Sequence, residues 1–407
     1  MPRAAWILAA LLLASTAGAE DVTLLNWNIL NYPGTSGTIR NPYFRTVIGA
    51  TDPDLIVVQE VHSQAGVNEF LTEVLEVVAP GEWVAGPFQE SYDTDRAIFY
   101  RTGLVTIPAS GWLDTDLRNI EWWRLRHTLS GEEFVLFTLH LKASQGSDNE
   151  QRRLEEATVL RDYLDGLPET TPVIVAGDFN IYRASEPAYQ LLLSAGCGQL
   201  HDPIDQVGEW HNNLGYAPIH TQSTRTSTGY GGGATGGMDD RFDQVLVTDE
   251  WLDGTGIEIR TDTYTAYGND GEHFNQSIIE GGNSAVPYEV AEALFHTSDH
   301  LPVRVELDLT ASANVATELR FETEGSRAAR LIAGTPSVRL RLPDEPELSF
   351  QLVDPTGRVV VRGPIPSAAL HRGEYRCRVA DLPAGAYIAC LRRAGQLVGT
   401  ERFVLVR

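Results

Sequence analysis

Lysine is almost absent from this sequence, and basic residues as a whole are outnumbered. Lys142 is the single lysine among 31 basic residues in a chain of 407, which also holds 55 aspartates and glutamates. Residues 20–310 carry 16 basic and 45 acidic residues, a net charge of −29, whereas residues 311–407 carry 14 and 10, a net charge of +4. So acidic a segment repels polyanions. Charge therefore disfavours tight binding of nucleic acid but does not exclude its cleavage.

Cysteines and long apolar runs are also scarce. Three cysteines cannot supply a disulfide framework, so the fold must be held together by burial. After the N-terminus no run reaches the roughly 18 apolar residues that a membrane span needs. Residues 1–19 combine Arg3, the apolar run Ala4 to Ala14 and the small residues Ala17-Gly18-Ala19, the layout of a cleavable signal peptide. We therefore expect an exported monomer without a transmembrane segment, secreted or held at the cell surface.

Short apolar runs and longer helical patterns are mixed along residues 20–310, the first predicted domain. The predicted strands are Val22 to Asn26, Leu55 to Gln59, Ala97 to Tyr100, Phe134 to Leu141, Val173 to Ala176, Phe242 to Val247 and Leu301 to Leu309. The predicted helices are Gly66 to Val78, Glu150 to Leu164 and Glu186 to Leu193. This mixture predicts a layered α/β domain in which helices cover a sheet.

Residues 311–407 have a different sequence pattern and form the second predicted domain. Short strands alternate with Asp-Pro-Thr-Gly and Leu-Pro-Ala-Gly turns, which predicts a small β-sandwich. The segments Val353-Asp354-Pro355-Thr356-Gly357 and Leu382-Pro383-Ala384-Gly385 resemble the sorting domains of the bacterial type nine secretion route. That resemblance implies secretion machinery as a partner, although Thr335-Pro336-Ser337 stands where the family opens with Pro-Asn-Pro. An ordinary accessory β-sandwich is the alternative.

Six polar motifs stand at the ends of predicted strands. They are Asn26-Trp27-Asn28, Gln59-Glu60, Leu139-His140-Leu141, Gly177-Asp178-Phe179-Asn180, Arg241-Phe242-Asp243 and Ser298-Asp299-His300. Each motif alone has a structural explanation: a lone histidine after a strand is more often structural, and Gly-Asp-Phe-Asn also fits an Asx-rich turn. Six such motifs along one domain indicate a shared site.

Together the six motifs resemble the endonuclease/exonuclease/phosphatase superfamily over roughly residues 21–309. The resemblance implies a four-layer α/β sandwich, in which two packed mixed β-sheets are flanked by helices and the active site lies along one rim. It also implies a metal-dependent phosphoric ester hydrolase. Some members carry an acidic residue two positions after the first asparagine, where this chain has Leu30. Its absence favours the deoxyribonuclease and sphingomyelinase branches and argues against a second, independently held metal.

Metal binding is assigned to the strand ends that offer oxygen ligands. Mg²⁺ prefers oxygen and keeps several waters, so one or two carboxylates and an amide oxygen suffice. We expect Asn28, Glu60 and Asp299 to hold Mg²⁺, or alternatively Mn²⁺ or Ca²⁺.

Hydrolysis also needs an oriented water, a proton acceptor, charge stabilisation and a proton donor. The resemblance implies that Asp243 pairs with His300, that Asp178 and Asn180 orient the nucleophile and phosphate, and that His140 protonates the leaving group or stabilises the phosphate. Which histidine is the acid stays open, because coupled groups titrate together. The carboxylates expected to orient His140 are Asp93 or Asp95.

Two irregular loops are candidates for substrate contact. Residues 229–237 are mostly glycine, which fits either a backbone anion-binding nest or a flexible surface loop, and the second loop runs from Tyr264 to Asn283. The candidate substrate-binding residues are His220, Arg225 and Arg241.

Three functions follow from these features. The leading prediction is an extracellular nuclease or general phosphodiesterase whose phosphodiester substrate is a nucleic acid. The second is a phospholipid or sphingolipid phosphodiesterase, or a phosphatase of the same fold. A lipid enzyme needs an exposed apolar surface, for which Trp122-Trp123 is the candidate. The third is a catalytically silent surface-binding module, against which the complete set of catalytic side chains argues.

Overall fold

The structure is a computed structural model that describes residues 21–309 except Glu169 and Thr255. Beyond them it describes residues 318–320, 330–333, 337–341, 348–364, 374–378, 382–383, 385–393 and 396–406, in part by backbone alone. The predicted signal peptide at residues 1–19 and the boundary near Thr310 lie outside the described residues. None of the described helices is long and apolar enough to cross a membrane.

Six strands form the first sheet of the large domain. They are β1 (Asp21–Tyr32), β2 (Leu55–Val61), β3 (Trp83–Ala85), β4 (Asp95–Arg101), β10 (Glu258–Ala266) and β11 (Val303–Asp308). Their order is β10-β11-β1-β2-β4-β3, and only β1 and β2 run parallel.

Five strands form the second sheet. They are β5 (Val105–Leu113), β6 (Ile120–His127), β7 (Glu133–His140), β8 (Val173–Asp178) and β9 (Asp243–Val247). They lie in chain order, with β7 and β8 parallel and the other pairs antiparallel. Both sheets are therefore mixed, as predicted.

Helices cover the outer face of each sheet. They are α1 (Gly37–Thr51), α2 (Ser63–Phe70), α3 (Glu76–Val78), α4 (Ser147–Asp165), α5 (Pro187–Leu193) and α6 (Tyr288–Thr297), with a π-helical turn at Leu71–Leu75 between α2 and α3. Short 3₁₀ turns occur at Leu214–Ile219 and Asp249–Trp251.

Three apolar cores separate the four layers. Successive residues of β1 point to opposite faces: Leu24 packs between the two sheets, and Leu25 packs towards α1 and α6. A third core lies between the second sheet and α4 and α5, where Leu160 and Leu192 are fully buried. The predicted four-layer sandwich is confirmed.

Buried polar side chains join the two sheets close to the ends that carry the motifs. Gln59 Nε2 donates to Asn26 Oδ1 at 2.8 Å within the first sheet and to Thr138 Oγ1 of the second sheet at 2.9 Å. Asn26 Nδ2 donates to the Gly177 carbonyl oxygen at 3.2 Å, again from one sheet to the other. Because a mispaired buried polar group is costly, these bonds hold the two sheet ends in one register.

The described elements of the C-terminal part are all β-strands, as predicted. Its strands are β12 (Glu318–Arg320), β13 (Arg330–Ala333), β14 (Ser337–Arg341), β15 (Leu348–Val353), β16 (Val359–Pro364), β17 (Glu374–Arg378), β18 (Gly385–Arg393) and β19 (Gln396–Val406). Strands β19, β18, β15 and β16 form an antiparallel sheet that β13 extends in parallel, and β12, β14 and β17 form a second sheet.

Candidate functional site

The polar motifs lie where the two sheets end side by side. In the second sheet His140, Asp178 and Asp243 are consecutive partners across β7, β8 and β9. In the first sheet Asn28 lies where the pairing of β1 with β2 becomes irregular, Glu60 lies next to the last residue of β2, and the turn before β11 supplies a carboxylate and an imidazole. The residues brought together are Asn28, Glu60, His140, Asp178, Asn180, Asp243, Asp299 and His300.

Asn28 joins two of the carboxylates. Its Nδ2 donates to Glu60 Oε1 and to Asp178 Oδ2, both at 3.0 Å, and its Oδ1 accepts the Leu30 N–H at 3.0 Å. The amide oxygen thus faces the backbone while the nitrogen faces the carboxylates. In this geometry Asn28 orients Glu60 as a hydrogen-bond donor, and it does not present the oxygen that the sequence analysis expected to bind a metal.

Glu60 and Asp299 are the carboxylates best placed to hold a cation. Burial raises the pKa of the Glu60 carboxyl, and the neighbouring charge of Asp299 raises it further. Oδ2 of Asp299 accepts from the Ala234 N–H at 2.6 Å and from Gln222 Nε2 at 3.3 Å. Its Oδ1 is buried and has no hydrogen-bond partner among the described residues. Two mutually repelling carboxylates, one with an unused oxygen, fit a hard divalent cation such as Mg²⁺.

The backbone around Glu60 adopts a conformation that side chains seldom take. The φ angles of Leu30, Asn31 and Glu60 are +47°, +47° and +61°. The turn brings the Asn31 N–H within 3.0 Å of Glu60 Oε2. Non-glycine residues with positive φ are enriched at functional sites, because the surrounding structure must hold them there.

His300 and Asp243 form a buried pair beside Asp178. His300 Nδ1 lies 2.7 Å from Asp243 Oδ2, and His300 Nε2 lies 3.8 Å from Asp178 Oδ2. Burial alone would lower the pKa of His300, but the carboxylates of Asp243, Asp178 and Asp299 raise it well above its usual value. Burial also raises the pKa of Asp178. The protonation states of His300 and Asp178 therefore depend on each other.

His140 has the opposite electrostatic environment. Burial lowers its pKa well below the usual value, and the Arg118 guanidinium lowers it further. Its Nε2 lies 3.5 Å from Asp178 Oδ2, while its Nδ1 is buried without a hydrogen-bond partner among the described residues. The expectation that Asp93 or Asp95 orients His140 is wrong: Asp93 pairs with Arg118 at 2.8 Å, and Asp95 accepts backbone N–H groups.

Gln222 belongs to the site although the sequence analysis did not select it. Its Nε2 lies 2.6 Å from His300 Nε2 and 3.3 Å from Asp299 Oδ2. A neutral His300 accepts from the amide NH₂, whereas a protonated His300 needs the amide oxygen, and a half-turn of the side-chain amide satisfies either state. Gln222 lies in a stretch without periodicity, so no pattern in the sequence pointed to it.

Asn180 closes the turn after β8. Its backbone N–H donates to Asp178 Oδ1 at 3.0 Å, and its Nδ2 donates to the Leu141 carbonyl oxygen at 3.2 Å. Its φ is +50°. The Gly-Asp-Phe-Asn motif thus forms an Asx turn, the structural alternative given in the sequence analysis. The turn also orients the Asp178 carboxylate towards Asn28 and the two histidines.

The glycine run wraps over Asp299. At Gly233 the φ angle is +85°, and a Cβ there would lie 2.6 Å from the Asp299 carboxyl carbon. The next residue, Ala234, donates its N–H to that carboxylate. The run therefore does bind an anion through its backbone, but the anion is a side chain of this protein.

The three candidate substrate-binding residues are all fully buried. Arg241 forms a double hydrogen bond with Asp202 at 2.8 and 2.9 Å, and His220 Nε2 lies 2.8 Å from the Trp210 carbonyl oxygen. Arg225 Nη1 contacts the Tyr230 carbonyl oxygen at 3.4 Å, and its Nε and Nη2 have no partner among the described residues. None of the three is brought into the group around Asp178.

Comparison with known proteins gives the following matches. The family model described as the Endonuclease/Exonuclease/phosphatase family matches residues 25–300, more than half of the chain. Nocturnin of Drosophila melanogaster is 28% identical over 218 residues, which are 44% of this chain and 32% of the fly protein. The chain therefore spans about a third of the length of that relative.

Solved structures are similar over the same part of the chain. An endonuclease/exonuclease/phosphatase family protein from Bacteroides thetaiotaomicron is 20% identical and has a TM-score of 0.45, covering 71% of this chain and 97% of its own. TDP2 of D. rerio, complexed with a single-strand DNA product, is 17% identical with a TM-score of 0.49, covering 70% and 98%. The human Nocturnin catalytic domain with bound sulfate is 16% identical with a TM-score of 0.46, covering 70% and 94%.

Proposed function

The chain belongs to the endonuclease/exonuclease/phosphatase family, whose members are phosphoester hydrolases, and we propose that it hydrolyses phosphodiester bonds with the help of a divalent cation. The observation that carries this proposal is the buried His300–Asp243 pair beside Asp178, next to the repelling carboxylates of Glu60 and Asp299.

Glu60 and Asp299 are the residues that would hold the cation. When bound there, Mg²⁺ or a similar ion supplies positive charge that offsets the charge building up on the phosphoryl oxygens. Asn28 keeps Glu60 in place by donating to its Oε1, and Ala234 and Gln222 do the same for Asp299. The carboxylates are therefore fixed before substrate arrives.

Proton transfer is assigned to Asp178, at the end of β8, and to His300, in the turn before β11. Burial raises the pKa of Asp178, which makes its carboxylate a stronger proton acceptor near neutral pH. In the proposed reaction the attacking water gives its proton to Asp178, its oxygen bonds to phosphorus, and the leaving oxygen departs with a proton from the His300 imidazolium. Neutral His140 donates a hydrogen bond to the phosphate, and Asp243 keeps His300 oriented throughout.

A nucleic acid is the proposed substrate, which makes the chain a nuclease. The second candidate, a lipid substrate, loses its supporting observation in the structure. Trp123 is buried, and Trp122 packs on Tyr163 with ring centroids 6.1 Å apart. Because Trp123 is buried and Trp122 is half-buried, the pair does not form the exposed apolar patch that a lipid enzyme needs.

Export completes the proposal. We assign residues 1–19 to a signal peptide and residues 311–407 to sorting or anchoring by secretion machinery, because all six chemical motifs precede Thr310 and the charge balance reverses after it. A chain that ends near Thr310 should then stay folded and active. Loss of turnover in that shortened chain, with its fold intact by circular dichroism, would instead give the C-terminal part a role in the site.

An activity panel tests the reaction itself. The chain without residues 1–19 is assayed on DNA, RNA, a model phosphodiester, sphingomyelin and phosphomonoesters, with Mg²⁺, Mn²⁺ or Ca²⁺ and with a chelator. We expect hydrolysis of the nucleic acids and the model diester that the chelator abolishes. Hydrolysis that survives the chelator, or none of any diester with any of the three ions, would refute the proposal.

A further inference from the structure

Three aromatic rings contact one another at the edge of the candidate site. The ring centroids of Tyr43 and His296 are 4.6 Å apart, those of Tyr230 and His296 5.2 Å, and those of Tyr43 and Tyr230 6.4 Å. The planes of each pair differ by 28° to 34°. Burial lowers the pKa of His296, which favours the neutral form of its ring. The three rings form one cluster in which each ring contacts the other two at a tilt, and we call this cluster the ring stack.

The ring stack is tied to the metal-binding carboxylate by two short stretches of chain. Tyr230 lies three residues before Gly233, and Gly233 packs on the Asp299 carboxyl group. His296 lies three residues before Asp299 itself. Three residues reach at most about 11 Å. The backbone at Tyr230 and His296 is therefore no farther from Asp299 than a few nucleotides of a strand can span.

Tyr230 is the outer member of the ring stack. It is 38% exposed, whereas Tyr43 and His296 are half-buried. The loop that carries Tyr230 is held in place, because Gly231 packs on the buried side chains of Arg40 and Leu30. The two neighbouring rings and the fixed loop therefore hold the Tyr230 ring in place. Because little further ordering is needed on binding, this ring is pre-organised to stack against another flat group.

Charge makes stacking the natural mode of recognition here. Arg40 and Arg225 pack against the glycines at 231 and 229 but are fully buried, so neither reaches a phosphate at the surface. Residues 20–310 carry a net charge of −29. A strand of nucleic acid therefore gains little from the protein's charges apart from a bound cation. Base–aromatic stacking does not depend on net charge, and every base has a face that can stack.

We propose that Tyr230, backed by Tyr43 and His296, binds an unpaired base of the substrate next to the scissile phosphate. This inference rests on the proposed phosphodiesterase activity. It makes the preferred substrate single-stranded, because the faces of the bases are covered in a duplex and open in a single strand.

Two matched substrates test the ring stack. One is a short oligothymidylate and the other is an abasic oligomer of equal length, whose sugars carry no base. We expect Tyr230→Ala to raise KM on oligothymidylate about 10-fold, the loss typical of removing one stacking ring, and to leave the abasic oligomer unaffected. Tyr230→Phe keeps the ring and should keep the wild-type preference. The control Tyr288→Ala removes a tyrosine that is 60% exposed at the far end of α6 and should change neither substrate.

Binding measured without turnover separates this inference from the proposed activity. Labelled oligothymidylate and abasic oligomer are titrated with the protein by fluorescence anisotropy in chelator, so the result does not require hydrolysis. We expect oligothymidylate to bind more tightly than the abasic oligomer, and Tyr230→Ala to remove the difference. The proposal that the ring stack binds a base would be overturned by any of three results. These are equal binding of the two oligomers by the wild type, an equal effect of Tyr230→Ala on both, and a duplex that is cut as fast as the single strand. Absence of hydrolysis with intact base-dependent binding would overturn only the activity.

Discussion

At the scale of single residues, the site places two histidines of opposite character against one carboxylate. His140 and His300 lie 3.5 and 3.8 Å from Asp178 Oδ2. Burial dominates for His140 and lowers its pKa, whereas the carboxylates around His300 overcome burial and raise its pKa. At one pH, an imidazolium at His300 can therefore give a proton to the leaving oxygen while a neutral imidazole at His140 donates a hydrogen bond to the phosphate.

Replacing the histidines tests whether they act on one transition state. We expect His140→Ala and His300→Ala each to lower kcat by on the order of 10²- to 10⁴-fold, with a smaller effect on KM. The double variant should lose less than the product of the two factors, because groups that act as a unit are not additive. His201→Ala is the control, since His201 is 31% exposed and pairs with Asp249 away from the motifs. Unchanged turnover in either single variant removes that histidine from the mechanism.

Glu156 gives a prediction of pH dependence outside the site. Burial raises the pKa of this α4 residue from 4.5 to about 7. One of its oxygens accepts the Lys142 N–H at 2.9 Å, and the other has no partner among the described residues. A carboxyl whose pKa is raised on folding stabilises the protein below pH 4.5, and this stabilisation is lost as pH rises through about 7.

Glu156→Gln should therefore gain stability relative to the wild type as pH rises. Between pH 4.5 and pH 8 we expect the difference in free energy of unfolding to move by on the order of 2–3 kcal/mol in favour of the variant. Urea unfolding at a series of pH values measures it, and the exposed neighbour Glu155→Gln is the matched control. A difference that does not vary with pH would show that Glu156 is charged in the folded protein throughout.

Residues that carry chemistry were predictable where they sit at strand ends, and not where they sit in loops. Glu60 and Asp178 follow apolar runs and His300 precedes one, so the pattern located them. Gln222 has no such neighbour, and its place depends on hydrogen bonds from a loop to Asp299 that no local pattern encodes. The buried state of Arg225 was unpredictable for the same reason: a loop of glycines covers it, and an arginine in a polar loop is usually exposed.

At the scale of elements, the glycine run offers a matched pair of positions. Gly232 and Gly233 have φ angles of +84° and +85°. A Cβ at Gly232 would meet nothing within 4 Å, whereas one at Gly233 would overlap the Asp299 carboxyl group. Alanine at either position suffers the same backbone strain, so only the contact with Asp299 distinguishes them.

Alanine substitution at these two positions should separate stability from activity. We expect Gly232→Ala to cost on the order of 1 kcal/mol of stability with kcat nearly unchanged. Gly233→Ala should cost more and also raise the metal concentration needed for half-maximal activity, because Asp299 must move. Thermal unfolding and metal titration of activity measure the two effects. Equal metal requirements in both variants would mean that the loop does not position Asp299.

The elements with clear periodicity were predicted, and those with interrupted patterns were missed. Strands β1, β2, β7 and β8 are apolar runs that two layers cover, so composition alone located them. Helix α1 was missed because Gly37, Pro42 and Gly49 interrupt its apolar spacing, although Phe44 and Val47 pack its inner face. Helix α6 was missed because it lies just after the irregular stretch from Tyr264 to Asn283, and tertiary packing on α1 outweighs the weak local signal.

At the scale of the whole molecule, the negative charge of residues 20–310 should control how a nucleic acid arrives. Repulsion between like charges slows association, and salt screens it within about 10 Å at 0.1 M. We therefore expect kcat/KM on single-stranded DNA to rise as salt increases from low to moderate concentration at saturating metal, opposite to the fall of a basic nuclease. A small phosphodiester with one charge is the control and should respond little. A steady decline on DNA from low salt upward contradicts this expectation.

If hydrolysis depends on a cation held by Glu60, the Glu60→Gln variant should need far more metal for activity than the wild type. The amide keeps the hydrogen bond from the Asn31 N–H or from Asn28 while removing the charge, so the fold should persist. Glu73→Gln, at a carboxylate that is 56% exposed, is the control. In metal titrations of activity we expect the half-saturating Mg²⁺ or Mn²⁺ concentration to rise by about 10- to 100-fold in Glu60→Gln and to stay unchanged in Glu73→Gln. Wild-type turnover of Glu60→Gln at limiting metal would contradict it.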